Sequence, residues 1–451
     1  MILKKEKLFL VPSLLLFLSS LPVFPLQQLL IWKNPPKKKL MENGLTLLYQ
    51  KDESSSITVL VLLIRGGKRA EPEGKEGLAY LTTRLMIEIP DRGKVQSLMR
   101  LSSHISMNSR GDYSLIRMAC LSDSLEDTLK IIAKIISDPL FSGMRINWIK
   151  ERMRNRRKRE EDDPRYVAHL AYRDLLLTER GYGGPFLGSE ESLKNIKKKD
   201  IVNFYKSHHR SDNIVLAVCS DLGEEEIFNL CSKYFTEFSE GTLSREELSR
   251  KAKKKAEKQM IIKKDTKQSL VSLGFPLPEL NARNFSLATL LETLLGKGAG
   301  SKLWPLRSEE KLAYVVDARA TQMEHGGLLE VYLETDHSKK ERARKALKEV
   351  LERLYEEGVT EEELQAAKIQ AKASFLRINE TKEERTKSFA AFEALGLGYQ
   401  FLTSYFHEID QISLEEMNAC IKQILDPQKS VEVIVGPEDK KKNSFIQTRA
   451  S

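Results

Sequence analysis

The same order of predicted secondary structure occurs twice in this sequence, once on each side of a charged segment. Each occurrence runs from a strand through a helix, a β-hairpin and further helices to a closing apolar strand, NIVLAVCSD in the first half and KSVEVIVGP in the second. Between them, residues 240–259 are almost entirely charged or polar, which is typical of a linker. The repeat predicts an α+β protein of two structurally similar halves, each an antiparallel sheet with helices packed on one side.

The chain of 451 residues is too long for one ordinary core, and the predicted elements divide it into four segments. These are a signal peptide or N-terminal anchor at 1–26, a first domain at 40–238, a charged linker at 239–259 and a second domain at 260–440. Within the first domain, Pro164 is predicted to break a long helical region into two helices.

The first residues have the pattern of a secretory signal. Lys4, Lys5 and Lys7 precede an apolar run of 17 residues, LFLVPSLLLFLSSLPVF. Prolines in and next to this run disfavour a continuous spanning helix, but no small-residue cleavage site follows Phe24, so an uncleaved membrane anchor stays open as the alternative. We therefore expect the folded body to lie in the periplasm or otherwise outside the cytoplasmic membrane.

The net charge of +9 comes from 73 basic and 64 acidic residues, a modest excess in a heavily charged chain. Basic runs occur at 37–39, 152–159, 253–255 and 440–442, without interleaved aromatic residues or a nucleic-acid-binding motif. They are interpreted as solvated helix faces and linkers, and no nucleic-acid partner is expected.

The four cysteines stand singly in the sequence, at Cys120, Cys219, Cys231 and Cys420. Without a CxxC pair or a Cys/His cluster, a cysteine zinc site is not expected. The predicted compartment would allow disulfides, and three full pairings of the four cysteines remain open.

The stretch GLAYLTTR predicts a helix after a glycine-rich turn, with Leu78, Leu81 and Leu85 at the spacing of a buried face. Around it stand GGKRAEPEGKEGLAYL, DDPR and GPFLGSEESLKNI, and the second half contains LLGKGAGSKLWPLRSEEKLAYVVDA and GVTEEEL. In this order and spacing, from about Met41 to Pro437, the chain resembles the pitrilysin or insulinase-type zinc metallopeptidases. The resemblance is nearest to their mitochondrial-processing-peptidase-like branch.

The resemblance implies an inverted zinc motif, H-x-x-E-H, on the GLAYLTTR helix. Two histidines four residues apart share one helical face and can bind one metal, while the glutamate acts on the bound water. Here these positions hold Tyr80, Thr83 and Arg84, and the position of a further ligand glutamate falls at about Asn155 or Arg156. Tyrosine is a poor zinc ligand at neutral pH and arginine does not deprotonate, so no metal and no catalytic residue is expected in this chain.

A shifted alignment would put Glu160 or Glu161 at the fourth position, but one carboxylate does not make a zinc site. The seven histidines do not supply the missing ligands, because only His208 and His209 are neighbours, and these are predicted to lie at a helix end. A lone zinc peptidase with an unusual site is therefore the least favoured interpretation.

The second half keeps a glycine-rich loop, Gly296, Gly298 and Gly300, followed by Arg307 and Tyr314. Taken alone, the loop has the composition of an ordinary turn between helices. The resemblance implies that it can approach a peptide backbone, that the arginine holds a substrate carbonyl and that the tyrosine hydroxyl stabilises the oxyanion. Both groups are donors suited to developing negative charge in a water-poor cavity.

The lost zinc motif and the kept Arg307/Tyr314 pair predict a zinc-free subunit of a heterodimeric metallopeptidase. Its expected partner is a homologous chain that carries the zinc, and the expected substrate is a peptide enclosed by both chains. The alternative is a non-enzymatic peptide-binding or scaffold protein of the same fold. The sequence leaves open the substrate, the choice between homodimer and heterodimer, and whether the N-terminal segment gives membrane association.

Overall fold

The computed structural model describes residues 33–89, 91–236, 238 and 258–438. The predicted signal peptide or anchor at 1–26 lies outside these residues, as does nearly all of the predicted linker. Among the described residues, no helix combines the length and the apolar character needed to cross a membrane.

The order of elements agrees with the predicted repeat. The strands are β1 (Lys37–Leu40), β2 (Thr46–Lys51), β3 (Ile57–Arg65), β4 (His104–Ser109), β5 (Tyr113–Leu121), β6 (Ile214–Ser220), β7 (Gln259–Lys263), β8 (Gln268–Leu277), β9 (Val315–Met323), β10 (Gly326–Asp336) and β11 (Val431–Gly436). The α-helices are α1 (Leu78–Met86), α2 (Arg92–Arg100), α3 (Leu125–Ser137), α4 (Gly143–Glu160), α5 (Pro164–Leu176), α6 (Glu190–Asn195), α7 (Lys198–His208), α8 (Glu224–Tyr234), α9 (Ala282–Gly296), α10 (Trp304–Ser308), α11 (Lys340–Glu357), α12 (Glu361–Ile378), α13 (Lys382–Ala394), α14 (Phe401–Asp410) and α15 (Leu414–Ile424). The predicted break at Pro164 separates α4 from α5.

The strands build two sheets of the same topology. The first has the order β1-β2-β6-β3-β5-β4 and the second the order β7-β11-β8-β10-β9, so every strand except β1 has a counterpart. In each sheet one pair is parallel, β2 with β6 and β7 with β11, and the other pairs are antiparallel. The predicted α+β fold of two similar halves is therefore confirmed, with one parallel pair added to each mainly antiparallel sheet.

The closing strand of each half lies inside its sheet, as the apolar sequence of β6 predicts. All seven residues of β6 are buried, because β2 and β3 flank it and helices cover both faces of the sheet. In the second half, all six residues of β11 are buried between β7 and β8. A strand buried on both faces has a continuous apolar run rather than alternation.

Helices of the same half cover one face of each sheet. Along β3, Leu60, Leu62 and Ile64 belong to the core that includes α3 and α8, whereas Val61 and Leu63 belong to a core on the other face. This alternation follows from the two-residue period of a strand. In the second half, α9 and α11 contact β9 and β10 in the same way.

The opposite face of each sheet is covered by a helix from the other half. Helix α13, from the second half, lies across β6 and β3, and α5, from the first half, lies across β11, β8 and β10. The two helices are counterparts, because each follows a long helix and begins at a capping side chain, Asp163 for α5 and Thr381 for α13. The halves are therefore joined by a reciprocal exchange of helices as well as by the linker.

The four cysteines all lie within the described residues and are buried and free. Burial raises the pKa of Cys120 to about 11 and that of Cys231 to about 12. It has the same effect on Cys219, to about 11, and on Cys420, to about 12. None of the three pairings that the sequence leaves open is formed.

Candidate functional site

Helix α1, which carries the lost zinc motif, begins at a buried carboxylate. Glu71 accepts hydrogen bonds from the backbone amides of Gly77 and Ala79, with N···O distances of 3.1 and 2.9 Å, and its carboxylate lies 3.3 Å from Lys68 Nζ. Burial raises the pKa of Glu71 and lowers that of Lys68, and the attraction between them opposes both shifts. Gly77 has φ of 94°, which glycine adopts at little cost. These contacts satisfy the first amides of the helix.

The apolar side of α1 packs against α4. Leu78, Leu81 and Leu85 are buried in one cluster with Ile149 and Met153 of α4. This packing confirms the amphipathic helix predicted from the leucine spacing. It also determines which polar side chains of the two helices can meet.

Tyr80 and Arg156, at two of the predicted metal positions, contact each other. Arg156 Nη1 donates a hydrogen bond to the Tyr80 hydroxyl over 3.1 Å, and the guanidinium carbon lies 5.6 Å from the centre of the Tyr80 ring. Arg156 also pairs with Glu160 at 2.8 Å. A cation therefore connects α1 to α4 at the place where the resemblance implies a metal.

Thr83 and Arg84 occupy the other two positions of the motif. Their side chains bond to residues in α1 or just after its end. Thr83 is buried and its Oγ1 donates to the Ala79 carbonyl over 2.9 Å, while Arg84 pairs with Glu88 at 2.8 Å. Zinc prefers imidazole, thiolate and carboxylate ligands, which these positions lack. In the described part of the chain, no group of three or more His, Cys, Asp or Glu residues is placed to hold a metal ion. The residues present therefore do not fit the zinc that the resemblance implies.

His208 and His209 lie at the end of α7, as predicted. Their Nδ1 atoms are each 3.0 Å from a backbone carbonyl one turn back, at Phe204 and Tyr205. Burial lowers the pKa of His209 to about 3, so its ring stays neutral. Both histidines are parts of a helix terminus.

The glycine-rich loop lies between α9 and α10. Gly296 ends α9, and a Cβ there would lie 2.2 Å from the Ala318 backbone nitrogen, so this glycine allows α9 and β9 to approach. Gly298 has φ of +86°, and a Cβ on Gly298 or Gly300 would meet no atom within 4 Å beyond its chain neighbours. The loop is therefore fixed at Gly296 and has open space at the other two glycines.

Arg307 and Tyr314 follow the loop and both lie at the surface. Arg307, on α10, is exposed, and its guanidinium carbon lies 5.1 Å from the centre of the Trp304 ring. Tyr314, just before β9, is 52% exposed, and its hydroxyl donates to Asp336 Oδ2 over 2.9 Å. That hydrogen bond and the charge of Asp336 raise the pKa of Tyr314, so the phenol keeps its proton. Each side chain has a hydrogen-bond donor at the surface. Trp304 contacts the Arg307 side chain, and Asp336 accepts from the Tyr314 hydroxyl.

Asp336 is the residue at this site that sequence reasoning missed. The β9–β10 hairpin pairs Val315 with Glu334, and the Tyr314 amide donates to the Glu334 carbonyl over 2.9 Å. This register puts the end of β10 beside Tyr314. The predicted hairpin contained both strands, so counting its register from the turn would have found the contact.

Comparisons with known proteins give the family of this chain. Residues 46–179 match the family described as Insulinase (Peptidase family M16), and residues 195–371 match Peptidase M16 inactive domain. A Helicobacter pylori protein named non-peptidase homolog YmxG is 23% identical over 382 residues, which cover 83% of this chain and 88% of that protein. The zinc protease PqqE of the same strain is 20% identical over 411 residues, covering 88% of this chain and 92% of that protein.

The fold is also present in a solved structure. The crystal structure of a peptidase M16 inactive domain from Pseudomonas fluorescens has a TM-score of 0.81 and 20% identity, covering 90% of this chain and 99% of that chain. The first family match lies within the first half, and the second runs from the end of the first half over most of the second. The chain therefore belongs to the M16 family of insulinase-type peptidases, as an inactive-type member without the zinc motif.

Proposed function

We propose that this chain is the zinc-free subunit of a heterodimeric M16 metallopeptidase that acts outside the cytoplasmic membrane. The observation that carries the proposal is a contrast between two places in the chain. At the zinc positions, side chains such as Tyr80 and Thr83 bond to α4 or to α1 itself. Arg307 and Tyr314, in contrast, expose their donors at the surface, where a second chain and a peptide could reach them.

In this proposal, a homologous chain carrying the intact motif closes over the second half, with an extended peptide between the two chains. The partner's zinc supplies the activated water. Arg307 would hold a peptide carbonyl, and Tyr314 would donate its hydroxyl hydrogen to the oxyanion that forms. The Tyr314 hydroxyl already donates to Asp336, so donation to substrate requires it to exchange one anionic acceptor for another. Its raised pKa suits this role, because the phenol stays protonated.

The relatives support a division of labour. The same Helicobacter pylori strain has two proteins similar to this chain, one named a non-peptidase homolog and the other a zinc protease. A genome that keeps both forms provides the two kinds of subunit that the proposal requires.

The test is to mix the full chain with an M16 chain from the same genome that carries H-x-x-E-H, using a fluorogenic peptide library as substrate. Cleavage is expected only in the mixture. Arg307→Ala and Tyr314→Phe should each lower kcat/KM by about 10²–10³-fold, the usual loss when one oxyanion-stabilising donor is removed. Arg353→Ala is the matched control, since Arg353 is an exposed arginine on α11.

Size-exclusion chromatography of each mixture separates loss of chemistry from loss of assembly. If both variants assemble and cleave at the full rate, the proposed roles of Arg307 and Tyr314 are wrong. If the wild-type mixture forms no complex with any zinc-motif chain of the genome, the heterodimer itself is wrong.

A second candidate is a non-enzymatic peptide-binding or scaffold protein. The name non-peptidase homolog, borne by one relative, favours it. In that case peptides or a partner chain would bind without cleavage, and Arg307→Ala would weaken peptide affinity while no turnover appeared in any mixture. The reconstitution therefore distinguishes the two candidates directly.

A further inference from the structure

A basic groove in the first half is lined by none of the residues assigned to the proposed peptidase site. It lies between the N-terminal half of α4 and the segment that joins α6 to α7, and its volume is about 630 Å³. Five cations and one carboxylate line it: Lys150, Arg154, Lys194, Lys197, Lys198 and Glu151. Helix α7 begins at Lys198, so the positive end of its dipole adds to the positive charge of the groove.

A buried lysine distinguishes this groove from a set of surface lysines. Lys150 is only 8% exposed, and its Nζ donates to the Ile196 carbonyl over 2.6 Å. Burial, and after it the charges of Lys197, Arg154 and Lys75, lowers the pKa of Lys150. The cation is therefore fixed in place and repelled by its neighbours, and an anion in the groove would relieve that repulsion.

The carboxylates near the groove offset its charge only in part. Glu151 and Glu190 both pair with Arg154, at 3.2 and 3.1 Å, and Asp200 pairs with Lys75 at 2.9 Å. With Lys75 included, three carboxylates stand beside six cations. The remaining positive charge suits a ligand with one or more phosphate groups.

Three exposed apolar residues lie before α4 and in its first two turns. Leu140, Met144 and Trp148 are 58%, 85% and 46% exposed. Met144 and Trp148 each directly follow a residue that lines the groove, Gly143 or Asn147. Consecutive residues of a helix lie about 100° apart around its axis. Met144 and Trp148 therefore occupy the sector of α4 next to the groove-lining row of Gly143, Asn147 and Glu151, and the two sectors meet along one edge of the helix. Large apolar side chains grouped in water beside cations mark an interaction surface.

We propose that this edge of α4 and the basic groove form a contact surface for a membrane containing anionic phospholipid. Met144 and Trp148 enter the interfacial layer, where tryptophan is favoured, and the groove binds the phosphate of a headgroup. Arg152 adds a cation at the same level, since its guanidinium carbon lies 4.6 Å from the centre of the Trp148 ring. Apolar insertion combined with basic side chains is the chemistry by which peripheral proteins recognise anionic membranes.

Flotation of the full chain with vesicles tests the charge dependence. Binding should be stronger to vesicles that contain phosphatidylglycerol than to phosphatidylcholine alone, and salt should weaken the difference. The triple variant Lys194→Glu, Lys197→Glu, Lys198→Glu should lose this preference by at least about tenfold. The matched control, Lys263→Glu, Lys345→Glu, Lys422→Glu, makes the same change in net charge on exposed lysines of the second half and should keep the preference.

Fluorescence of Trp148 tests which face touches the lipid. The chain has three tryptophans, so Trp32→Phe with Trp304→Phe leaves Trp148 as the only one. Its emission should shift to the blue and be quenched by brominated acyl chains in phosphatidylglycerol vesicles. Both charge variants are made in this background and carry the same N-terminal segment. Any vesicle binding through that segment therefore cancels when the two variants are compared.

Soluble glycerol phosphate separates a lipid headgroup from a free phosphate ligand. If it binds the wild-type chain but not the groove variant, while vesicles show no phosphatidylglycerol preference, the ligand is a free phosphate compound and the membrane proposal is wrong. The proposal is also overturned if both charge variants lose vesicle binding equally, or if Trp148 is not quenched. The groove variant should leave peptide cleavage in the reconstituted mixture unchanged. Failure of the membrane proposal can therefore be told apart from failure of the proposed peptidase function.

Discussion

The two exchanged helices, α5 and α13, occupy equivalent places in the two halves but are held by different chemistry. Helix α13 meets the first sheet through buried charge. Arg385 forms a hydrogen-bonded ion pair with Asp52, and the two side chains are 3% and 5% exposed. Lys382 donates to the backbone carbonyls of Asp52, Ser55 and Ile57, over 2.7, 2.6 and 3.1 Å. Cationic side chains of the second half thus bind the carboxylate and the backbone carbonyls of residues 52–57 in the first half.

Helix α5 also makes ionic contacts with the second sheet, but its most buried contact, through Tyr172, is neutral. Tyr172 is fully buried, its hydroxyl donates to Ser272 Oγ over 2.7 Å, and Ser272 in turn donates to the Val433 carbonyl over 2.9 Å. The Tyr172 ring covers Gly274 so closely that a Cβ there would lie 2.4 Å from it. Two ionic contacts flank it: His169 Nδ1 lies 2.8 Å from the buried Glu330 carboxylate, and Arg165 pairs with Glu334 at 3.4 Å.

The contact of each exchanged helix with the opposite sheet is a junction between the halves. The two junctions differ, so a duplicated topology does not fix how they are stabilised. A buried ion pair costs a great deal to break on one side, because the remaining charge has lost both its partner and its water. A neutral hydroxyl bond costs much less, and tight aromatic packing responds mainly to changes in volume. The two junctions should therefore differ in the size of their response to mutation and in their dependence on pH.

The largest effect is expected from Arg385→Met, which leaves the Asp52 carboxylate buried without its guanidinium. The free energy of unfolding should fall by ~3–5 kcal/mol, measured by urea denaturation. Arg377→Met is the matched control, because Arg377 is an exposed arginine near the end of the adjacent α12 and its loss should cost less than ~0.5 kcal/mol. Equal losses in the two variants would show that the ion pair does not hold α13 in place.

Acid should abolish the contribution of the same pair. Burial would raise the pKa of Asp52, but hydrogen bonds from Ser54 and the charges of Arg385 and Lys382 outweigh it, so the pKa lies below its ordinary value. A carboxyl whose pKa is lowered in the folded state stabilises it above the unfolded pKa of about 3.9, and this is lost as pH falls through the folded pKa. The difference in unfolding free energy between wild type and Asp52→Asn should be full at neutral pH and shrink below about pH 4. A difference that stays constant with pH would contradict the role of the Asp52 charge.

The repeat in the sequence was sufficient to predict the duplicated α+β fold, because strand and helix periods and the linker are local features. The exchange of α5 and α13 was not predictable in the same way. Phe389 and Ala390 of α13 are buried, but an apolar helix face does not by itself specify which sheet it covers. Lys382 and Ile57 are 325 residues apart in the chain, and no local pattern connects them.

The candidate site likewise has some contacts that the sequence could predict and others that it could not. Alignment to the zinc motif placed Tyr80 and Arg156 at related positions, and the structure brings these two side chains into contact. The contact of Tyr314 with Asp336 depends on the register of the hairpin, which residue type alone does not give. The roles of Arg307 and Tyr314 stay predictions, because they depend on a surface that a second chain would complete.

Where Tyr172 of α5 packs on the second sheet, Gly274→Ala should give the next largest effect. The added methyl group would meet the buried Tyr172 ring, and overpacking of this kind costs ~1–3 kcal/mol. Gly143→Ala is the control, because a Cβ there meets no atom within 4 Å and helix α4 begins at this residue, so stability should be unchanged or slightly raised. A loss at Gly274 no larger than that at Gly143 would show that α5 can move away from the sheet without cost.

Tyr172→Phe should give the smallest effect of the four. It removes one hydroxyl bond between the halves, but Ser272 keeps its hydrogen bond to the Val433 carbonyl, so no polar group is left without a partner and the loss should be ~1 kcal/mol or less. Burial raises the pKa of Tyr172 well above its ordinary value, so the hydroxyl stays neutral and the loss should be the same at neutral and mildly acid pH. Tyr314→Phe, at an exposed tyrosine, serves as the control in the same urea titrations. The loss of unfolding free energy in Tyr172→Phe could instead shrink below about pH 4, as expected for Asp52→Asn. That result would show that the α5 and α13 contacts do not respond independently.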